Sequence, residues 1–343
     1  MNKILIYSLL FLLSCASNST LKNHPFQEKQ KGTHHFGRID TSGFTALKAT
    51  NFDWITLVPW GFQKEHNDPE VGHHRGDSAR IKSRNTRLLT TMQLLHDEGF
   101  KVFIKPHIWI HDDPNGKWRS DIYPNNESDW ETWKTSYQEF MIRYAKLAEE
   151  GKAEMFCIGT ELTRLSLEKS EYWEELIKEI RQIYSGKITY AANWYEEYEN
   201  ITFWEQLDYI GIQAYFPLTK NENPTVNEIS NGWNQFLPHM ESISKKYKRS
   251  ILFTEIGYKG TSDSAVQPWQ WLDDPRDSTF RLSLETQANA YEAFFKTVWN
   301  QPWFSGAHLW QWRTDFDGAD GYGGLDFTPQ GKPAQQVIEK GFE

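Results

Sequence analysis

Two cysteines, Cys15 and Cys157, are all that 343 residues contain. Cys15 closes an N-terminal apolar stretch, which leaves Cys157 with no intramolecular disulfide partner. Inside the run Met155-Phe156-Cys157-Ile158 it reads as a small core residue rather than a nucleophile. A basic excess is also missing. With 37 Lys and Arg against 46 Asp and Glu, the formal charge is −9 and the sequence pI about 5.7. Nucleic-acid binding relies on clustered cations meeting phosphates, so an uncharged ligand suits this balance better. No apolar run is long enough to cross a membrane. Mean hydropathy of −0.68 with 24% charged residues describes a soluble globular chain. There is no internal repeat and no linker that would divide the chain in two. The segment Asp315 to Asp326 lacks the Asp-x-Asp-x-Asp-Gly order of a calcium loop and reads as a rim loop. His73 and His74 are adjacent, so they do not share one face as metal ligands would, and no metal or organic cofactor is expected.

What the chain has in excess is aromatic side chains, 15% of residues with 16 Trp among them. Its first fifteen residues are a separate object. Lys3, the apolar stretch Ile4 to Leu13, Ser14 and Cys15 are too short for a transmembrane helix and suit a secretory signal. Leu12-Leu13-Ser14-Cys15 resembles a bacterial lipobox, in which the Cys becomes the lipidated first residue; the alternative is a plain signal peptide cut slightly later. The lipobox reading divides the chain into a signal at 1–15, a polar tether at 16–31 and one domain at 32–343. It predicts an exported bacterial lipoprotein, periplasmic or at the cell surface, that meets the membrane only through its lipid.

From Thr33 onward, strand-like and helix-like segments alternate. Strands are predicted at Thr33 to Arg38, Asp53 to Trp60, Phe100 to His107, Met155 to Ile158, Lys187 to Asn193, Leu207 to Tyr215, Ser250 to Thr254 and Ser305 to Trp310. Helical stripes lie between them, for instance Leu88, Leu89, Met92 and Leu95 before Gly99. Gly159 is read as the stop of the fourth strand and Trp233 to Tyr247 as one helix. Eight strands, each followed by a helix, predict a (β/α)8 TIM barrel rather than a doubly wound sheet.

Reacting groups in such barrels sit at the C-terminal ends of the strands. Those exits carry Trp60, His107, Trp109, Glu161, Asn193, Trp194, Gln213, Tyr215, Glu255, Tyr258, Trp310 and Trp312. Flat aromatic faces interleaved with carboxylate, amide and imidazole groups suit a sugar, whose apolar ring face stacks while its hydroxyls take directed hydrogen bonds. Glu161 and Glu255 occupy matched contexts, an apolar strand, then Thr, then Glu. Glycosidic bonds are broken by such a pair, one carboxyl protonating the leaving oxygen and the other attacking the anomeric carbon or activating water. Separations of about 5 to 5.5 Å imply retention of anomeric configuration, and about 6.5 to 9.5 Å inversion. The acid must hold its proton near neutral pH, so burial and the neighbouring charge are expected to raise its pKa. His107 reads equally as a ligand contact or a satisfied rim histidine, Trp54 as core, and Trp130, Trp133 and Trp173 as packing or surface stacking.

Taken together, Cys157-Ile158-Gly159-Thr160-Glu161-Leu162, Ile212-Gln213-Ala214-Tyr215-Phe216-Pro217-Leu218, Phe253-Thr254-Glu255-Ile256-Gly257-Tyr258, and His308-Leu309-Trp310-Gln311-Trp312 with Gly331-Lys332-Pro333-Ala334 resemble glycoside hydrolase family 113. These are endo-β-1,4-mannanases in a clan of retaining (β/α)8 glycosidases, and the resemblance covers about residues 32 to 343. It implies Glu161 as acid/base, Glu255 as nucleophile, Tyr215 as the neighbour holding the nucleophile, and Trp310 as the platform under the cleaved sugar. The wider clan has Asn before the acid/base, touching the sugar 2-hydroxyl, where this chain has Thr160; Asn193 and His107 are the substitutes. The expectation is a monomeric retaining mannan or glucomannan hydrolase. Its rivals are a β-glucanase or other clan member, a non-catalytic carbohydrate-binding lipoprotein, and a metal-dependent barrel hydrolase.

Overall fold

Each predicted apolar run forms a strand, and the strands close on one another. In chain order they are β1 (Gln30–Phe36), β2 (Trp54–Leu57), β3 (Trp60–Gln63), β4 (Lys101–Ile104), β5 (His107–Ile110), β6 (Met155–Thr160), β7 (Lys187–Asn193), β8 (Ile210–Gln213), β9 (Ile251–Ile256) and β10 (Phe304–Arg313). Eight of them make a closed parallel barrel in the order β1-β10-β9-β8-β7-β6-β4-β2, the (β/α)8 architecture. The computed structural model describes residues 28–37, 41–72, 78–111, 113–272, 279–314, 316, 318 and 322–343. The signal segment with Cys15, most of the tether, Arg38, His73, His74, Arg75 and part of the Asp315 to Asp326 loop lie outside the described residues. Among the described residues no helix is long and apolar enough to cross a membrane.

The outer layer is built from α1 (Thr41–Ala49), α2 (Ser78–Asp97), α3 (Glu127–Glu150), α4 (Thr163–Glu168), α5 (Ser170–Ile183), α6 (Glu197–Asn200), α7 (Val226–Asn234), α8 (Leu237–Tyr247), α9 (Leu284–Thr297) and α10 (Pro333–Gly341). Trp130, Trp133 and Tyr137 lie three and four residues apart on one face of α3 and stack in sequence, Trp133 on Tyr137 at 4.7 Å and Trp130 on Trp133 at 5.9 Å. With Trp173, also fully buried, they are packing residues.

Alternation along the strands sorts the core into two layers. Ile55, Val102, Phe156, Ile188, Ile210 and Phe253 belong to the large outer cluster against the helices. Their neighbours Trp54, Phe103, Met155, Cys157, Ala191, Tyr209 and Leu252 form a separate cluster inside the barrel. Cys157 is thus interior packing; burial pushes its thiol up to about 11, and its Sγ donates to the Gly159 carbonyl at 3.0 Å. Above this layer sits neutral His308, bonded to Thr56 at 2.7 Å and Gln30 at 2.8 Å. Gly32 leaves room for it, because a Cβ there would stand 2.2 Å from the imidazole. Phe103 is fully buried in the inner layer. Phe103→Ala is expected to destabilise the protein by about 3–5 kcal/mol, checked by denaturant unfolding.

Four expectations need correction. The barrel takes up residues assigned to the tether: β1 starts at Gln30, and the Lys29 amine donates to the Gln301 carbonyl at 2.9 Å. Prolines interrupt the second and third strands, because Pro59 and Pro106 have no N–H for a ladder. The continuations β3 and β5 pair separately as a short parallel sheet that raises Trp60 and His107 to the mouth. Gly159 does not end its strand, which runs on to Thr160. It provides closeness instead of a turn, since a Cβ there would lie 2.6 Å from Tyr190. Finally, the helix placed at Trp233 to Tyr247 is two helices, α7 and α8.

Candidate active site

Glu255 reaches the barrel mouth because the strand carrying it breaks alternation. On β9, Leu252 packs inside and Phe253 outside, so strict alternation would point Glu255 outward and Ile256 inward. The pairing of β8 with β9 shifts register between the Phe253 and Glu255 positions. Ile256 consequently joins the outer cluster and Glu255 faces the cavity. On β6 a similar shift falls between Cys157 and Thr160. Register irregularities of this kind re-aim side chains beside active sites. Glu161 then adopts a left-handed backbone, φ 53°, with its N–H donating to the Ala191 carbonyl at 2.8 Å. That conformation costs a non-glycine residue about 1–3 kcal/mol.

The two carboxyls live in opposite surroundings. Glu255 Oε2 accepts from the Lys105 amine at 2.6 Å and the Gln213 amide at 2.9 Å, while Oε1 accepts from the Tyr215 hydroxyl. Thr254 donates to Gln213 Oε1 at 3.1 Å, which turns the nitrogen of that amide toward Glu255. Burial works to raise the Glu255 pKa, but the Lys105 charge and these hydrogen bonds outweigh it and hold it down to about 2. His34 completes this side. Its Nδ1 lies 3.1 Å from the Leu309 carbonyl and its Nε2 3.2 Å from the Lys105 amine, so Nδ1 carries the proton and Nε2 accepts. Burial takes the His34 pKa down to about 3, which keeps the ring neutral.

Glu161 has fewer donors. Burial raises its pKa, the Arg119 guanidinium at 3.3 Å opposes that, and the Glu255 charge adds to the rise. Arg119 also donates to His107 Nδ1 at 2.9 Å, which places the His107 proton on Nε2. That nitrogen is buried at the cavity wall without a hydrogen-bond partner among the described residues. Burial drives the His107 pKa well below the usual imidazole value, so the ring stays neutral.

The cavity holds about 850 Å³ and is walled mainly by aromatic faces. Trp310 forms its floor, wedged by Phe36 at 4.9 Å and by Trp271 at 5.8 Å, both edge-on. Trp60, Trp109 and Trp118 line one flank in successive edge-on contacts of 5.8 and 5.6 Å. On the other flank Trp194 stacks on Trp269 at 5.3 Å. Asn193 lines the wall between them, its amide nitrogen donating to Thr163 Oγ1 at 2.8 Å.

Of the strand-exit residues, Glu161, Glu255, Trp60, His107, Trp109, Asn193, Trp194, Tyr215 and Trp310 therefore meet at one cavity. Gln213 stands behind it, its side-chain amide bonded to Glu255 and Thr254. Tyr258 and Trp312 are not brought there. Tyr258 is buried against Tyr291 at 5.2 Å, and Trp312 turns outward onto Phe52 at 5.4 Å. The hydroxyl of Thr160 is also turned away, donating to the Pro106 carbonyl at 3.3 Å. Lys105, His34, Arg119, Trp118, Trp269 and Trp271 were missed. A lysine ending the apolar run Val102-Phe103-Ile104 was a legible signal for the first; the loop residues carry no periodic pattern to find them by. Among the described residues no group of three or more His, Cys, Asp or Glu side chains could hold a metal ion.

The profile of Glycoside Hydrolase Family 113 matches residues 27–332. A solved structure described as a GH113 beta-1,4-mannanase is 27% identical, with 92% of this chain and 99% of that one covered and a TM-score of 0.76. A GH113 beta-mannanase from Alicyclobacillus acidocaldarius, in complex with ManMIm, is 26% identical over 92% and 97% of the two chains at a TM-score of 0.75. A beta-glucuronidase of Ruminococcus gnavus, 16% identical and covered over 50% of its length, shares the fold at a TM-score of 0.60. No curated protein matches.

Proposed function

The chain belongs to glycoside hydrolase family 113, and from that premise we propose that it cleaves internal β-1,4 bonds of mannan or glucomannan with retention of configuration. The observation that carries this reading is the opposite tuning of the two carboxyls: Glu255 held ionised by Lys105, Glu161 held toward its protonated form by burial. An ionised carboxylate is a nucleophile, and a carboxylic acid is a proton donor. In the first step the Glu161 proton passes to the glycosidic oxygen as a Glu255 oxygen bonds to the anomeric carbon, and the leaving chain departs. In the second, Glu161 takes a proton from water whose oxygen attacks that carbon, releasing Glu255. Trp310 stacks under the sugar being cleaved. His107 Nε2, a donor, and the Asn193 carbonyl oxygen, an acceptor, take the hydroxyl contacts that Thr160 leaves open. Initial rates on β-mannan against cellulosic and mixed-linkage glucan, with the product anomer followed by proton NMR, test the proposal. Faster hydrolysis of glucan, or an inverted first product, would overturn it.

The pH profile follows with its sign. Glu255 stays ionised above about 2, so kcat/KM has no acid limb over the usual assay range. Activity falls on the alkaline side, as the raised pKa of Glu161 is passed and its proton is lost. In Lys105→Met the charge that most opposes burial at Glu255 is gone, the pKa of Glu255 rises, and an acid limb enters the profile. An unshifted profile in that variant would rule out this role for Lys105.

For the N-terminus, we propose lipid attachment at Cys15. Metabolic labelling with a fatty acid is expected to mark the wild-type protein and not Cys15→Ser, which leaves the membrane fraction. Equal labelling of both would remove the anchor.

A further inference from the structure

Behind the wall that carries Glu161 lies a carboxylate with no part in the chemistry above. Glu197, wholly buried at the start of α6, accepts four hydrogen bonds. Its Oε1 receives the Tyr190 hydroxyl at 2.5 Å and Ser166 Oγ at 2.7 Å; its Oε2 receives the Asn193 N–H at 2.7 Å and Thr163 Oγ1 at 3.0 Å. A carboxyl this deep survives only with such a set of donors. Burial still pushes its pKa up to about 7 against their pull.

Two of the four donors also accept a hydrogen bond, whereas the third hydroxyl, Ser166 Oγ, has a second acceptor in the Thr163 carbonyl at 3.0 Å. The Tyr190 hydroxyl accepts the N–H of Leu162, the residue after Glu161, at 2.9 Å. Thr163 Oγ1 accepts the side-chain amide of Asn193 at 2.8 Å. A hydroxyl has one proton, so giving it to Glu197 leaves only lone pairs to offer the other partner. Glu197 thereby sets the direction of two relays that end at the site. One holds the backbone beside Glu161, whose left-handed φ of 53° needs support from its surroundings. The other holds the Asn193 amide with its nitrogen inward and leaves its carbonyl oxygen for the cavity.

We infer that Glu197 is a positioning residue, fixing Glu161 through Tyr190 and Leu162 and fixing Asn193 through Thr163. The inference rests on the reading of Glu161 as acid/base. The competing account is a buried hub that adds stability and nothing more. Kinetics on one polysaccharide, carbon-13 NMR titration of the Glu161 carboxyl and melting temperatures separate the two. Tyr190→Phe is expected to lower kcat by about 10²-fold with little change in KM, since small misplacements of a reacting group have that effect. It also moves the Glu161 pKa down toward the usual carboxylate value, because a loosened side chain gains water. Thr163→Val raises KM more than it lowers kcat, and Glu197→Gln does both. Ser166→Ala loses a bond to the same carboxylate and one to the Thr163 backbone carbonyl, but reaches neither the Leu162 N–H nor the Asn193 amide, and keeps wild-type kinetics and titration.

The inference is overturned if these variants change the melting temperature alone, or if Ser166→Ala impairs catalysis as much as Tyr190→Phe. Should Glu197→Gln fail to fold, Tyr190→Phe and Thr163→Val decide. A wild-type protein that hydrolyses no polysaccharide would defeat the proposed function, while the Glu161 titration, which needs no substrate, still tests the relay.

Discussion

Glu255→Gln is expected to lower kcat on polysaccharide by about 10⁵-fold or more, the scale seen when an enzyme loses its nucleophile. An amide attacks the anomeric carbon poorly, and the groups that tune Glu255 have no second function to fall back on. The Lys105 amine, the Gln213 amide and the Tyr215 hydroxyl all donate to its two oxygens. The amide nitrogen of a glutamine would meet donors where the carboxylate met partners. Lys105 loses its counter-charge, but burial already lowers its pKa, so it sheds its proton rather than remaining as an isolated buried cation. The variant is therefore expected to fold, with a lowered melting temperature and a native circular dichroism spectrum. Near-normal release of reducing sugar from it would end the assignment.

Glu161→Gln costs about 10²- to 10⁴-fold on polysaccharide, the usual worth of a positioned general acid. The loss depends on the leaving group, and that dependence distinguishes the two residues. A sugar hydroxylate is a poor leaving group and needs a proton. A nitrophenolate does not, so the first step on an aryl glycoside survives in this variant while the second, which needs a base, stalls. A burst of nitrophenol followed by a slow phase is expected from Glu161→Gln and none from Glu255→Gln. In Glu161→Ala, azide replaces the deprotonated water and yields a glycosyl azide of retained configuration. A burst from the Glu255 variant, or an inverted azide from the Glu161 variant, would reverse the roles.

Much of the barrel was legible in the chain. Apolar runs such as Met155 to Ile158 and Ile251 to Phe253 are long enough for strands and are bounded by polar turns, and buried parallel strands carry no competing pattern. The prolines at 59 and 106 were visible too, but whether the chain resumes pairing beyond them depends on the neighbouring strand. Nine of the twelve strand-exit residues line the cavity, because exit residues of a closed barrel share one rim. Gln213 supports Glu255 from behind, while Tyr258 and Trp312 miss the cavity for a reason that spacing does not record. A residue beyond a strand end turns with its loop, and packing partners such as Tyr291 and Phe52 choose the direction. Thr160, adjacent to Glu161 in sequence, faces Pro106 for the same reason.

By itself, the sequence determined the alternation of strands and helices, hence the barrel, and the delivery of two glutamates to the ends of the strands at β6 and β9. Those are local properties: length of apolar runs, period, and residue type at a boundary. Which glutamate is ionised was decided only in three dimensions. Lys105 lies 150 residues from Glu255 in the chain and 2.6 Å from it in the fold, and Arg119 reaches Glu161 from a single 3-10 turn with no pattern of its own. Proton affinity depends on charge, burial and donors within a few ångströms, and those neighbours come from strands and loops that only barrel closure brings together.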